Sequence, residues 1–159
     1  MSAWLLCPAR GRHWGVRGAA GLLPFATASS GLRVLLALRS YGTHQGGTWG
    51  TLGGAIEDGE TPWHAALREA AEEADGLDLA GAEAAGSQRF ECRCGWTYTT
   101  FPVRLAEDAA LAVRSGWESS ELRWVPLRDV DGYRLHPGLA QSWPELLKLI
   151  EAQAAPGTA

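Results

Sequence analysis

The chain has 159 residues, 46% of them hydrophobic and 20% charged, which is the composition of a folded domain and not of a disordered segment. A net charge of −4 and a pI near 5.5 argue against a nucleic-acid polymer as partner, since backbone binding needs a basic surface, but leave room for small phosphorylated molecules. No apolar run approaches about 18 residues, and three sparse cysteines, Cys7, Cys92 and Cys94, suit a reducing compartment, so no membrane span and a cytoplasmic location are expected.

Residues 1–14 read as an arm or leading loop carrying Trp4 and Trp14. With no evident partner in the rest of the pattern, the arm is expected to contribute to a homodimer. Residues 15–27 read as a buried strand, followed by a turn at 28–31 and a second, almost wholly apolar strand over 32–39; the two should form a hairpin. A polar loop over 41–48 leads to Trp49. Arg39, His44 and Trp49 flank this loop and are the candidate substrate-binding residues. Trp49 either stacks on a base or packs beneath the following turn, and packing is the commoner use of such an aromatic.

Gly53-Gly54 opens the most informative stretch. Thr61 is a good helix N-cap and Pro62 fits the first helical position, where no N–H is needed. From Pro62 to Ala74, Trp63, Leu67, Ala70 and Ala74 recur at helical spacing as an apolar stripe. Glu69, Glu72 and Glu73, at i, i+3 and i+4, crowd a second face. Such a run is usually a solvated face, but three carboxylates together also suit a hard divalent cation.

Beyond this helix, residues 84–94 and 96–105 read as strands joined through Gly95, 121–125 as a short strand with Trp124, 126–130 as a helical turn, and 138–153 as a last helix. Cys92-Arg-Cys94 offers half a zinc site. No further Cys or His pair stands at metal-ligand spacing, so the two are read as strand residues sharing a face. Residues 154–159 read as a disordered tail.

The spacing of Gly54, Glu60, Arg68, Glu69, Glu72 and Glu73 resembles the Nudix box, G-x5-E-x7-R-E-U-x-E-E-x-G-U, in all six of these positions. The departures are Leu52 where many relatives have Pro, the small Ala70 at the first U, Asp75 at the last Gly and Gly76 at the last U. Asp75 would have to take up a left-handed conformation, or the helix runs on to a Gly76 cap.

The resemblance covers about residues 15–150. It implies an α+β fold, an α/β/α sandwich with a mixed curved sheet between helices, forming a hydrolase domain over 15–153. It also implies metal-dependent cleavage, with Mg2+ or Mn2+, of a nucleoside diphosphate linked to another group; a small nucleotide is the expected partner. The implied metal ligands are Glu72, Glu73, Glu69 and the carbonyl of Gly53, with Glu118 a further candidate from the loop before the Trp124 strand. Glu69, Arg68 and Glu73 are the implied catalytic residues, and Glu60 is better placed to brace Arg68 than to reach metal. The alternative is a Nudix-fold nucleotide-binding module with weak or no catalysis.

Overall fold

The computed structural model describes residues 3–116 and 121–154. In chain order it contains β1 (Trp4–Cys7), β2 (Gly11–Trp14), β3 (Ala19–Ala28), β4 (Gly31–Leu38), β5 (Trp49–Gly50), β6 (Leu52–Ala55), α1 (Pro62–Glu73), β7 (Ala74–Asp75), β8 (Gln88–Glu91) and β9 (Thr97–Arg104). These are followed by α2 (Glu107–Leu111), β10 (Arg114–Ser115), β11 (Glu121–Pro126), a 3-10 helix (Leu127–Gly132) and α3 (Pro137–Ala154).

The central sheet runs β11-β4-β3-β9-β8, with β5 paired to β4 and β6 to β3. It is mixed: β3 lies parallel to β9 and antiparallel to β4 and β6. Alternation along the strands sends side chains to two separate cores. Ala20, Leu22 and Ala26 of β3, with Leu35 and Ala37 of β4, meet Ala65, Ala66 and Ala70 of α1. Leu23 and Phe25, with Val34 and Leu36, meet Leu139, Trp143, Leu146 and Ile150 of α3. A strand buried on both faces has no solvent side to mark with polar residues, which is why Val34–Leu38 is continuously apolar. Each fully buried Leu or Phe here contributes about 1.5–3 kcal/mol.

Three expectations need correction. Residues 1–14 are not a loose arm but a β-hairpin, β1 pairing with β2 from Trp4↔Trp14 to Cys7↔Gly11. The hairpin docks on its own chain: His13 stacks on Trp96 with ring centroids 4.2 Å apart, and Trp96 Nε1 donates to the Gly15 carbonyl at 2.9 Å. Trp4 and Trp14 pack edge-on against each other and both remain partly exposed. The buried strand begins at Ala19, after Gly15 and Gly18, both at positive φ, have turned the chain.

The box helix stops at Glu73. Ala74 is extended (φ −131°, ψ 118°), and Ala74–Asp75 pair with Arg114–Ser115. The left-handed residue is Gly76 (φ +74°), so Asp75 never bears that cost. The missing box glycine is thus displaced by one residue, not absent. Residues 155–159 and Glu118 lie outside the described residues.

Candidate active site

The floor of the site is assembled by α1 and β6. Thr61 caps α1, its hydroxyl accepting from His64 N–H at 3.2 Å. This fixes the helix against the turn and sets the phase of its carboxylates. Arg68 then locks the turn to the helix. Its Nε and Nη2 donate to Glu60 Oε1 and Oε2 at 2.7 and 3.0 Å, Nη2 also donates to the Ala55 carbonyl at 3.0 Å, and Nη1 donates to Glu69 Oε1 at 2.8 Å. Glu60 Oε2 additionally accepts the Glu57 N–H at 2.9 Å. The Arg68 bond is the main reason the Glu60 carboxyl is held down to about 2; the same pairing raises Arg68 further. Glu60 is therefore a brace, and Arg68 orients Glu69.

Gly54 must be glycine for a steric reason. A Cβ there would fall 2.5 Å from Cδ and Oε1 of Glu69. A Cβ on Gly53 would fall 2.4 Å from the Ala20 carbonyl and from Tyr98 Oη. The double glycine lets the Glu69 carboxylate and the Tyr98 hydroxyl close on the main chain of β6.

Above this floor opens a cleft of about 380 Å3. Glu69 and Glu73 reach it from α1, and Gly53 and Gly54 from β6. Arg39 and His44 also line it, Arg39 Nε donating to the His44 carbonyl at 3.2 Å. Glu72 is not in the lining; its Oε2 lies 3.5 Å from Arg68 Nη1 at the outer side of the helix. Trp49 is not in the lining either. It is buried in the α3-side core, edge-on to Tyr133 and covered by the Arg123 guanidinium 4.8 Å from its ring centre. Glu118 lies outside the described residues; Gly116 donates its N–H to the Glu73 carbonyl at 2.7 Å.

The remaining wall comes from residues the sequence reading did not select. The hairpin gives Arg10, Arg12, His13 and Trp14; β8 and β9 and the turn between them give Phe90, Trp96 and Tyr98; the start of α3 gives His136. Tyr98 Oη hydrogen-bonds Thr51 Oγ1 at 2.6 Å. Burial first, then the nearby charges of Glu73 and Glu69, push its hydroxyl up to about 12, so it stays protonated. Glycines inside strands, at Gly21 and Gly53, were the available signal that a side chain such as Tyr98 crosses there. His136 Nδ1 accepts the Gly138 N–H at 3.1 Å, as a helix-capping acceptor does. Burial, together with Arg39, His44 and Arg10, depresses it to about 4, leaving it neutral. His44 is lowered too, by burial and then by Arg12 and Arg39.

The donor set fits a divalent cation. Glu69 and Glu73 line the cleft with the main chain of Gly53 and Gly54, the glycine at 54 leaving room for the Glu69 carboxylate; oxygen donors of this charge suit Mg2+ or Mn2+. Opposite it, three arginines provide positive charge for the remainder of a phosphate chain.

This fold and acidic floor agree with the family comparison: the NUDIX domain model matches residues 16–148. The chain belongs to the Nudix family and hydrolyses phosphoanhydride bonds. It is 42% identical over 149 residues to a protein of Mycobacterium tuberculosis named "Putative 8-oxo-dGTP diphosphatase 3", an alignment covering 90% of this chain and 67% of that one. It is 36% identical to part of a nucleoside triphosphate pyrophosphatase/Nudix hydrolase fusion protein of Bifidobacterium longum, covering 95% of this chain and 32% of that one. Among solved structures, the Nudix hydrolase RenU of M. smegmatis superposes with a TM-score of 0.81 at 37% identity, over 99% of this chain and 98% of that one. No helix among the described residues is long and apolar enough to cross a membrane.

Proposed function

We propose that this chain is a nucleoside triphosphate pyrophosphohydrolase, with oxidised guanine nucleotides the first substrates to test. The observation that carries this reading is a single cleft holding both an acidic floor, Glu69 and Glu73, and a cationic rim of Arg10, Arg12 and Arg39, beside the aromatic rings of Trp14, Phe90 and Trp96. The rim matches the charge of a polyphosphate, and the rings offer π-faces to a base. The name carried by the 42% identical relative supports the same substrate class.

Glu69, Glu73 and the Gly53 carbonyl would hold a divalent cation, with Glu72 on the outer side of α1 and Glu118 as further carboxylates. When bound, the cation supplies positive charge at the phosphates and makes a water acidic. The protein's own groups do the rest. Arg68 fixes the Glu69 carboxylate by its bond to Oε1. Glu69, so oriented, takes the proton of the attacking water as the P–O bond between the α- and β-phosphates breaks, releasing nucleoside monophosphate and pyrophosphate. Arg10, Arg12 and Arg39 hold the polyphosphate. Neutral His136 offers a hydrogen bond without competing for its charge.

The test is a panel of 8-oxo-dGTP, dGTP, ADP-ribose and a dinucleoside tetraphosphate, with products separated by ion exchange. Nucleoside triphosphates should turn over only with Mg2+ or Mn2+. Full activity in excess chelator, or preference for ADP-ribose or the dinucleotide, would overturn the assignment.

A further inference from the structure

Cys7, His13, Cys92 and Cys94 come from opposite halves of the sequence and meet beside the cleft. One ligand-type atom from each lies within 4.8 Å of the other three. Cys7 Sγ and Cys92 Sγ are 3.4 Å apart. Cys7 and Cys92 are buried and Cys94 is half-buried. The expectation that the Cys92-Cys94 pair lacks metal-binding company is thereby corrected: β8 ends at Glu91, the two cysteines sit in the turn closed by Gly95 N–H on the Cys92 carbonyl at 2.8 Å, and the N-terminal hairpin delivers the other two groups.

We propose that these four residues form a structural zinc site, Cys3His, that clips the β1–β2 hairpin to the β8–β9 turn. A tetrahedral zinc with bonds of about 2.0–2.3 Å needs ligand atoms roughly 3.5–3.8 Å apart, so a contraction of about 1 Å or less closes the cluster on an ion. The Cys7 sulfur accepts main-chain N–H groups from Ala9 and Arg10, Cys92 sulfur accepts from Cys94, and Cys94 sulfur from Trp96. Backbone amides aimed at sulfur are the outer partners a thiolate–zinc site uses. His13 Nε2 is buried and has no hydrogen-bond partner of ordinary geometry, a state that coordination would resolve.

The competing reading is a Cys7–Cys92 disulfide. It would use two of the four groups and leave Cys94 and the His13 nitrogen unexplained. Zinc uses all four, and with three thiolates the site has a net charge of −1, with Arg10, Arg12 and Arg93 as sequence neighbours. The site is closed, with no position for water, so its role is to hold the cleft wall and not to react. It is chemically separate from the carboxylate site, which would take a hard cation.

The test uses the full chain purified with reductant throughout. Elemental analysis after a wash in a weak chelator should find about one zinc per chain. Replacement by Co2+ should give intense thiolate-to-cobalt charge-transfer absorption, which an all-oxygen site cannot produce. Cys94→Ser, the least buried of the three, should weaken or abolish those bands, and stripping zinc should lower the melting temperature in a way that Mg2+ does not restore. A reduced, folded chain that holds no zinc and shows no thiolate-to-cobalt absorption would overturn the proposal. So would a Cys7–Cys92 disulfide that persists under these conditions.

Discussion

The two sides of the cleft were built by different routes. The acidic floor is local: Gly53, Gly54, Glu60, Arg68, Glu69 and Glu73 lie within one short strand, one turn and one helix, and Arg68 ties the three together. The basic and aromatic wall is non-local, gathering Arg12 and Trp14, Arg39, Trp96 and Tyr98, and His136 from four distant parts of the chain. The floor carries charge in one fixed geometry. The wall supplies shape and counter-charge and depends on long-range packing, so the two should fail differently when altered.

The largest expected effect is on the floor. Glu73→Gln keeps the shape and removes the charge. Turnover should fall by roughly 100- to 10,000-fold, with the melting temperature unchanged or raised as a like-charge repulsion is relieved. Near-normal turnover at saturating Mg2+ would remove Glu73 from the chemistry. Gly54→Ala pushes a methyl into the Glu69 carboxylate. A displacement on the order of 1 Å should cost about 100-fold in kcat, with KM for substrate moving less; steady-state kinetics separates the two.

Arg68→Lys sharpens the comparison by loosening the floor without touching the wall. One ammonium cannot serve Glu60, Glu69 and the Ala55 carbonyl from one plane, and stability should drop by about 1–3 kcal/mol in urea unfolding. A change within error would mean that the fork adds little.

The smallest effect belongs to the wall and is read in pH. His136 titrates near 4 in the folded chain and near 6.5 when unfolded. Between those values the unfolded chain binds the extra proton, so stability conferred by this site is present above pH 6.5 and is lost as pH falls toward 4. His136→Gln should flatten that part of the stability–pH curve. An unchanged slope would show that the imidazole is not held neutral.

The same contrast explains what could be read from the sequence. The cap at Thr61, the stripe on α1 and the Glu60–Arg68 spacing are short-range facts, and the turn and helix follow from them. Burial of both faces of β3 and β4 is likewise written in their apolar-rich runs, Leu22–Ala26 and Val34–Leu38. The wall was not legible because each member looks ordinary alone. Arg12 lies in a segment without strong periodicity, Tyr98 is one aromatic in a strand, and His136 precedes a helix as many residues do. Cys7 and His13 became relevant to Cys92 and Cys94 only through the parallel pairing of β3 with β9, which brings the two ends of the sequence side by side.

That parallel pairing has a consequence for synthesis. β3 takes Tyr98–Arg104 as its neighbour, so the centre of the sheet cannot close until the ribosome has delivered β9. A nascent chain that has just completed α1 already holds Glu69, Glu72 and Glu73, yet its middle strand still has an open edge and one of its two apolar faces awaits α3. Parallel pairing across a long stretch of chain is slow, and an open apolar edge invites pairing with other chains. In a growing polypeptide this enzyme therefore has its reactive residues early and the shelter that makes them useful late, and that interval is where it is most exposed to aggregation.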